Sequence, residues 1–167
     1  LKRRGFASSI IGVDNNKHHQ NIAIHSGLVD KIDTFENAVR KSDLIILSTP
    51  VNANREMLPG ILNMIEGTSK IVTDMGSTKA GIAAAVVNHP NRGRYVASHP
   101  MAGTEFSGPM AAIGKLFDYK HVIICDKELS DEDAIRKVID MYNILNMRIT
   151  YMKSTDHDVH VAYVSHI

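Results

Sequence analysis

Several side chains that could take part in catalysis lie between residues 96 and 109, in the stretch VASHPMAGTEFSGP. Loops carry functional groups often, because a rigid scaffold can position them. His99 is the strongest candidate, since the following Pro100 favours an extended backbone at residue 99 and so limits the directions of its ring. An imidazole exchanges protons near neutral pH, which predicts acid–base chemistry at His99. No metal site is predicted, because no other ligand lies beside His99 at suitable spacing.

A second polar stretch, TDMGSTKAG at residues 73–81, precedes a helical pattern. Ser77 or Thr78 is placed to cap that helix, and a hydroxyl there is equally suited to orient a neighbouring imidazole. The sequence leaves both roles open. Lys79 is expected to be solvated.

Asp14 ends the apolar run SSIIGVD and precedes two asparagines. A carboxylate at the end of the second strand of a mononucleotide-binding unit can accept hydrogen bonds from an adenosine ribose, and its charge favours NAD over NADP. A turn cap explains the same residue, and a methyltransferase can present the same acid. The G-x-G-x-x-G motif that accompanies a dinucleotide site is not in this chain.

Ser48, Thr49 and Pro50 follow another apolar run, in LSTPVNAN. Proline stops a strand and can open the backbone to a flat ligand, although a plain strand end looks the same. Near the end of the chain, His157, Asp158 and His160 form a compact set. On a helix His157 and His160 should share a face and Asp158 should point elsewhere. Capping or packing is therefore the first interpretation of this set, and a ligand site the second.

The elements that position these groups alternate between short apolar runs and amphipathic segments. Alternating strands and helices predict a Rossmann-like α/β fold, with a doubly wound, mostly parallel sheet whose ligands bind beyond the carboxyl ends of the strands. Asp14, the 48–50 segment, the 74–77 segment and the 98–100 segment all lie at such ends and are expected to converge. The predicted strands are SSIIGVD, DLIILS, SKIVTD, GRYVASHP, KHVIICD and MRITYM.

Composition places the chain among globular proteins: it has 167 residues, of which 44% are hydrophobic and 22% charged, with a formal net charge of +1. No basic run argues for nucleic acid and no apolar segment for a membrane, so a small-molecule partner is expected. Cys125 is the single cysteine and lies in an apolar run, where a buried, inert thiol is expected. One cysteine allows no intrachain disulfide, which fits the cytoplasm.

Both ends of the chain look cut. LKRRGF begins without methionine and reads as a last helical turn with a glycine stop, and TDHDVHVAYVSHI begins a helix that has no stop signal. We expect residues 1–152 to be an NAD-binding Rossmann domain without its first strand and glycine-rich loop. Residues 153–167 are expected to begin an all-helical substrate and dimerisation domain.

The segment SHPMAGTEFSGP, with TDMGSTK before it and DHDVHVAYVSH after it, resembles the prephenate and arogenate dehydrogenase family of tyrosine biosynthesis. HPMAGTE with its trailing SG is a specific signature, and the resemblance extends from the second strand to the start of the next domain. It implies NAD-dependent oxidative decarboxylation of prephenate to 4-hydroxyphenylpyruvate, in a homodimer formed through the helical domain.

The resemblance also implies roles for individual residues. His99 would hold the ring hydroxyl of prephenate and take its proton, and Ser77 would hydrogen bond that imidazole and lie near the nicotinamide. Asp14 would bind the ribose of NAD, with Ser48, Thr49 and Pro50 under the cofactor. The residues implied to line the substrate pocket are Thr104, Glu105 and His166.

Two departures from the family pattern accompany the resemblance: the glycine-rich phosphate loop and the arginine that binds a substrate carboxylate are absent from the sequence. The 167 residues alone are therefore expected to be inactive. Arogenate is an alternative substrate. Another NAD-dependent hydroxy-acid dehydrogenase and a nicotinamide-sensing module without catalysis are further alternatives.

Overall fold

The computed structural model of the chain describes residues 1–103 and 108–164. Its strands are β1 (Ile11–Gly12), β2 (Lys31–Ile32), β3 (Leu44–Leu47), β4 (Ile71–Asp74), β5 (Tyr95–Pro100), β6 (His121–Cys125) and β7 (Arg148–Met152). Its α-helices are α1 (Lys17–His25), α2 (Phe35–Lys41), α3 (Val51–Met64), α4 (Ala80–Ala84), α5 (Glu132–Ile144) and α6 (Ser154–Val164). Short 3₁₀ turns lie at Lys2–Arg4, Arg92–Arg94, Pro109–Ala111 and Lys127–Leu129.

The main sheet has five strands in the order β3-β4-β5-β6-β7. Neighbouring strands are parallel except β5 and β6, which are antiparallel. A parallel connection needs a crossover that is usually helical, and the described residues between β5 and β6 contain only a 3₁₀ turn. The predicted α/β fold with a mostly parallel sheet is confirmed.

Strands β1 and β2 form a separate parallel pair. The sequence predicts β1, although the strand stops at Gly12, two residues before Asp14. It does not predict β2, because two residues are too few to show an apolar alternation. In the described residues no strand ladder connects this pair to β3, so Asp14 lies outside the main sheet.

Both faces of the main sheet are covered, as the continuous apolar strands predict. Along β5, Tyr95 and Ala97 pack on the face covered by α3 and α4, whereas Val96 packs on the face covered by α5. Side chains alternate across a strand, so one run of buried residues supplies both layers. Each fully buried aliphatic side chain contributes about 2 kcal/mol to folding, so both layers stabilise the sheet that carries the loops.

Local signals in the sequence account for several helix boundaries. The Asn16 side chain accepts hydrogen bonds from the amides of His18 and His19 at the start of α1, and Thr34 caps α2. Gly27, with a φ of 64°, follows α1 and ends it in a left-handed conformation that glycine adopts readily. Gly5 ends the first 3₁₀ turn in the same left-handed conformation.

Helix α6 follows β7 and packs against α4 and β6. It begins at Ser154, next to the expected domain boundary at residue 152. The division into two domains stays a prediction. The packing of α6 against α4 brings the end of the described chain onto the helix that follows β4.

Candidate active site

The carboxyl ends of β3, β4 and β5 lie side by side at one edge of the main sheet. Asp74, the last residue of β4, is in register with Leu47 on one side and with Ala97 on the other. The residues that follow these three positions are therefore neighbours. The structure thus brings together three of the four polar segments that the sequence places at strand ends.

The loop after β3 contains Ser48, Thr49 and Pro50, all three of which are exposed. The Thr49 hydroxyl donates to Oδ1 of Asn54, in the first turn of α3. Asn54 is fully buried, and its Nδ2 has no hydrogen-bond partner within the described residues. A buried donor without a partner is costly, typically by about 1–3 kcal/mol, and this one lies directly behind the exposed loop.

A buried ion pair supports the loop after β4. The side chains of Lys79 and Asp74 have no exposed surface and form a salt bridge, and the Lys79 ammonium also donates to the Ser98 carbonyl at 2.8 Å. Asp74 accepts two further hydrogen bonds, from the Tyr95 hydroxyl at 2.6 Å and from the Gly76 amide at 2.9 Å. Burial lowers the pKa of Lys79, and the charge of Asp74 opposes this effect. The expectation that Lys79 is solvated is wrong, because Asp74 and Ser98 supply its charge with partners inside the protein.

The helix cap that the sequence places at Ser77 or Thr78 comes from another element. Both hydroxyl residues are exposed, and α4 has Lys79 at its N-cap position without a side-chain hydrogen bond of its own. The Asp158 carboxylate of α6 instead accepts the amides of Lys79 at 2.7 Å and of Ala80 at 2.9 Å. An acid from α6 thus satisfies the free amides that a local hydroxyl was expected to satisfy.

His99 lies at the carboxyl end of β5, half-buried, beside the loop after β4. Its Nδ1 forms a 2.9 Å hydrogen bond with Nε2 of His157, and the two rings meet edge to face with centroids 5.1 Å apart. Nδ1 of His157 in turn lies 2.8 Å from a carboxylate oxygen of Asp158. The described hydrogen bonds of His99 do not include Ser77, so the role of Ser77 stays a prediction.

On α6 the capping and packing interpretation is confirmed, since Asp158 caps α4 and His157 is buried, but His157 and Asp158 do not point apart as expected. His157 is fully buried and hydrogen bonds its neighbour Asp158, whereas His160 is exposed and bonds the Asp156 carbonyl. The sequence places His157 and Asp158 in a helix but not beside His99. Only the packing of α6 against α4 and β6 brings them there, and a single sequence carries no signal for that contact.

The electrostatics of this edge favour a neutral His99. Burial, followed by the neighbouring His157 and the positive charge of Lys79, lowers its pKa from 6.5 to about 4. A neutral imidazole has one nitrogen that can accept a proton. His99 is therefore in its basic form throughout the neutral pH range.

Asp14 is exposed at the end of the β1 segment. One of its oxygens accepts the Asn16 amide at 2.7 Å, which is turn chemistry, and the other lies 3.4 Å from Nδ1 of His19. Asp14 thus stabilises the turn with one oxygen, as the turn-cap interpretation predicts, and its second oxygen faces solvent and the His19 ring. Thr104, Glu105 and His166 lie outside the described residues.

The other described groups offer little further chemistry. Cys125 is buried, and burial raises the pKa of its thiol to about 12, as an inert thiol requires. Within residues 1–103 and 108–164, no three histidine, cysteine or acidic side chains form a cluster suited to a metal. No helix in the same ranges is long and apolar enough to cross a bilayer.

Comparisons with known proteins show which family the chain resembles. Residues 1–151 match the family model described as prephenate dehydrogenase, nucleotide-binding domain. Prephenate dehydrogenase of Bacillus subtilis (strain 168) is 28% identical over 170 residues, which cover 99% of this chain and 45% of the relative. The chain thus spans about half the length of the curated relatives that it matches.

Solved structures show the same fold. Prephenate dehydrogenase from Aquifex aeolicus superposes with a TM-score of 0.88 at 29% identity, over 99% of this chain and 59% of that one. A structure of the A. aeolicus enzyme in complex with hydroxyphenyl propionate and NAD+ has a TM-score of 0.80 at 28% identity, over 95% of this chain and 55% of that one. Arogenate dehydrogenase from Synechocystis has a TM-score of 0.82 at 28% identity, over 99% and 58%.

Proposed function

We propose, from the premise that the chain belongs to the family of prephenate dehydrogenase nucleotide-binding domains, that its protein oxidises and decarboxylates prephenate to 4-hydroxyphenylpyruvate with NAD. The position of His99 carries the proposal. Within the described residues His99 is the only histidine that belongs to β3, β4 or β5, and it is neutral at physiological pH.

His99 has the properties that this reaction needs in a base. Oxidation of the ring carbon that bears the hydroxyl leaves a developing carbonyl, and removal of the hydroxyl proton in step lowers the barrier. A positioned general base contributes about 10²- to 10⁴-fold to such a rate, or roughly 3–5 kcal/mol. When bound, NAD would accept the hydride from the ring carbon, and loss of carbon dioxide would then make the ring aromatic.

The described residues fit a dinucleotide at this edge. Pro50 precedes α3, whose first turn has no side-chain cap, and the buried Nδ2 of Asn54 is left without a described partner behind the same loop. Such a set of free donors suits the polar groups of a cofactor. We propose that Ser48, Thr49 and Pro50 lie under NAD and that Ser77 lies near its nicotinamide.

Asp14 is proposed to hold the adenosine ribose. Its carboxylate is exposed at the end of the β1 segment, and only one of its oxygens accepts a backbone hydrogen bond from the turn. The remaining oxygen can accept from a ribose hydroxyl, and the charge opposes a ribose phosphate, which favours NAD over NADP. Thr104, Glu105 and His166 are proposed to line the substrate pocket.

Arogenate is the second candidate substrate. It has an amino group where prephenate has a keto group, and the proposed work of His99 on the ring hydroxyl is the same for both. The similarity to the Synechocystis arogenate dehydrogenase supports keeping this candidate.

The proposal extends to assembly and location. The exposed face of α6 includes Val159, with 55% of its surface exposed, and Tyr163, with 72% exposed. These side chains support a homodimer formed through the helical region that begins at α6, which size-exclusion chromatography with light scattering tests. The single cysteine supports a cytoplasmic location.

A substrate panel tests the function. The protein as its gene encodes it is mixed with NAD and with prephenate, arogenate or a 3-hydroxy acid, and NADH absorbance is followed. We expect NADH with prephenate, together with 4-hydroxyphenylpyruvate in the product. NADH with arogenate alone selects the second candidate, and NADH with the hydroxy acid alone contradicts the proposal. NAD binding without turnover of any substrate would indicate a sensing module.

A further inference from the structure

A continuous series of hydrogen bonds connects the start of α4 to the ring of His99. The amides of Lys79 and Ala80 donate to Asp158, Asp158 lies 2.8 Å from Nδ1 of His157, and Nε2 of His157 lies 2.9 Å from Nδ1 of His99. This series joins α4, α6 and β5, which are far apart in sequence. The family resemblance gives no role to His157 or Asp158.

The direction of each hydrogen bond follows from the chemistry at the Asp158 end. Burial raises the pKa of this carboxyl, but hydrogen bonds from His157 and from the two amides outweigh it, so the pKa of Asp158 lies below its usual value. Asp158 is therefore an ionised carboxylate that only accepts, and Nδ1 of His157 must carry a proton and donate it.

The same reasoning continues to His99. When Nδ1 holds the one ring proton of His157, Nε2 of this fully buried imidazole carries a lone pair. Nδ1 of His99 must then hold the proton of the 2.9 Å hydrogen bond. Nε2 of neutral His99 is left as the atom with the lone pair.

We propose that His157 is a positioning residue for the dehydrogenation, which, held by Asp158, selects the tautomer of His99 in which Nε2 accepts the substrate proton. The reaction in this proposal rests on the proposed function, whereas the tautomer of His99 rests on the described hydrogen bonds. In a catalytic triad a carboxylate orients the catalytic histidine directly. Here a second imidazole, that of His157, lies between the Asp158 carboxylate and His99.

The proton balance is complete within these side chains. The substrate O–H bond breaks as its proton bonds to Nε2 of His99. The Nδ1 proton of His99 can then move to Nε2 of His157, which becomes an imidazolium beside the negatively charged Asp158. The positive charge thus ends next to a carboxylate. Loss of carbon dioxide leaves the ring oxygen as a phenolate, so the proton on Nε2 of His99 bonds to that oxygen and the proton on Nε2 of His157 returns to Nδ1 of His99.

Kinetics of variants in the protein as its gene encodes it test the role of His157. His157→Leu removes both hydrogen bonds, whereas His157→Gln keeps an acceptor near the position of Nε2 but cannot take up a proton. We expect kcat for prephenate to fall by about 10²-fold in His157→Leu and by about tenfold in His157→Gln, with KM for NAD within about twofold of wild type.

The matched control is His160→Gln, on the same helix. His160 is exposed, and its ring bonds a backbone carbonyl of its own helix within the described residues, so kcat should be unchanged. Circular dichroism and thermal melting establish that each variant is folded. A folded His157→Leu or His157→Gln protein with the kcat of wild type would overturn the proposal.

Nitrogen NMR gives a readout that needs neither substrate nor a folded variant. In protein labelled with ¹⁵N-histidine at neutral pH, we expect protonated Nδ1 and unprotonated Nε2 for His99, and the same tautomer for His157. His99 with its proton on Nε2 would overturn the proposal even if prephenate is turned over. Conversely, the expected tautomers in a protein that does not oxidise prephenate would contradict only the proposed function.

Discussion

The protonation state of His99 is set by its position in the fold. Its imidazole differs from the exposed His160 through its burial and its neighbours, since burial, His157 and Lys79 together make protonation unfavourable. A base that stays unprotonated at neutral pH is what the proposed reaction needs at the start of each turnover. The pH dependence of the His99 ring therefore tests whether its surroundings keep it unprotonated.

We expect the His99 ring to titrate with a midpoint near pH 4 in an NMR titration, well below the 6.5 of a free histidine. Since the folded pKa lies below the unfolded one, protonation favours unfolding, and the stability of the protein should fall as pH drops from about 6.5 to about 4. Correspondingly, kcat/KM should remain flat between about pH 7.5 and about pH 5.5. A His99 midpoint at 6.5 or above would show that the site does not lower its pKa.

The buried Lys79–Asp74 pair should contribute to the stability of the protein. Lys79→Met leaves the Asp74 carboxylate buried without its counter-charge, which should lower the free energy of unfolding by about 3–5 kcal/mol. Urea denaturation measures the change. As a control, Lys79→Met combined with Asp74→Asn removes the uncompensated charge and should be more stable than Lys79→Met alone. A single variant as stable as wild type would contradict the role assigned to this pair.

At the scale of elements, the alternation of apolar runs and amphipathic segments predicts the five strands of the main sheet, because burial on both faces leaves a visible pattern. The two residues of β2 leave none. The sequence also places α6 but not its contact with α4, so the cap from Asp158 and the His99–His157 bond appear only in the structure. The expectation that Lys79 is solvated is wrong for the same reason, since the partners of Lys79 come from β4 and β5.

Helix α3 offers a prediction about local conformation. A methyl group added at Gly60 meets no atom within 4 Å, and the residue is inside the helix, so Gly60→Ala should stabilise the protein by about 1 kcal/mol. For a protein of this size that corresponds to a rise in Tm of about 2–4 °C. Calorimetry measures the shift.

Gly67 provides the matched control for Gly60. It also has no atom within 4 Å of an added methyl group, but its φ is 69°. Gly67→Ala should therefore lower Tm, since only the backbone conformation separates the two sites. If both variants shifted Tm in the same direction, this account of α3 would be wrong.

In the part of the molecule that the structure describes, the polar groups suited to catalysis lie at one edge of the main sheet. The chain spans about half the length of its curated relatives, and its sequence contains no G-x-G-x-x-G. We expect the 167 residues alone to give no NADH with prephenate, while the protein as its gene encodes it does. Turnover by the 167 residues would show that the described edge suffices.

The central claim is that His99 removes the proton while the rest of the edge holds the cofactor. The measurement that tests it most directly compares wild type with His99→Asn, in the protein as its gene encodes it, for NAD affinity by calorimetry and for NADH formation from prephenate. We predict an NAD Kd within about twofold of wild type and a kcat lower by about 10²- to 10⁴-fold. A His99→Asn protein that forms NADH at the wild-type rate would contradict the claim.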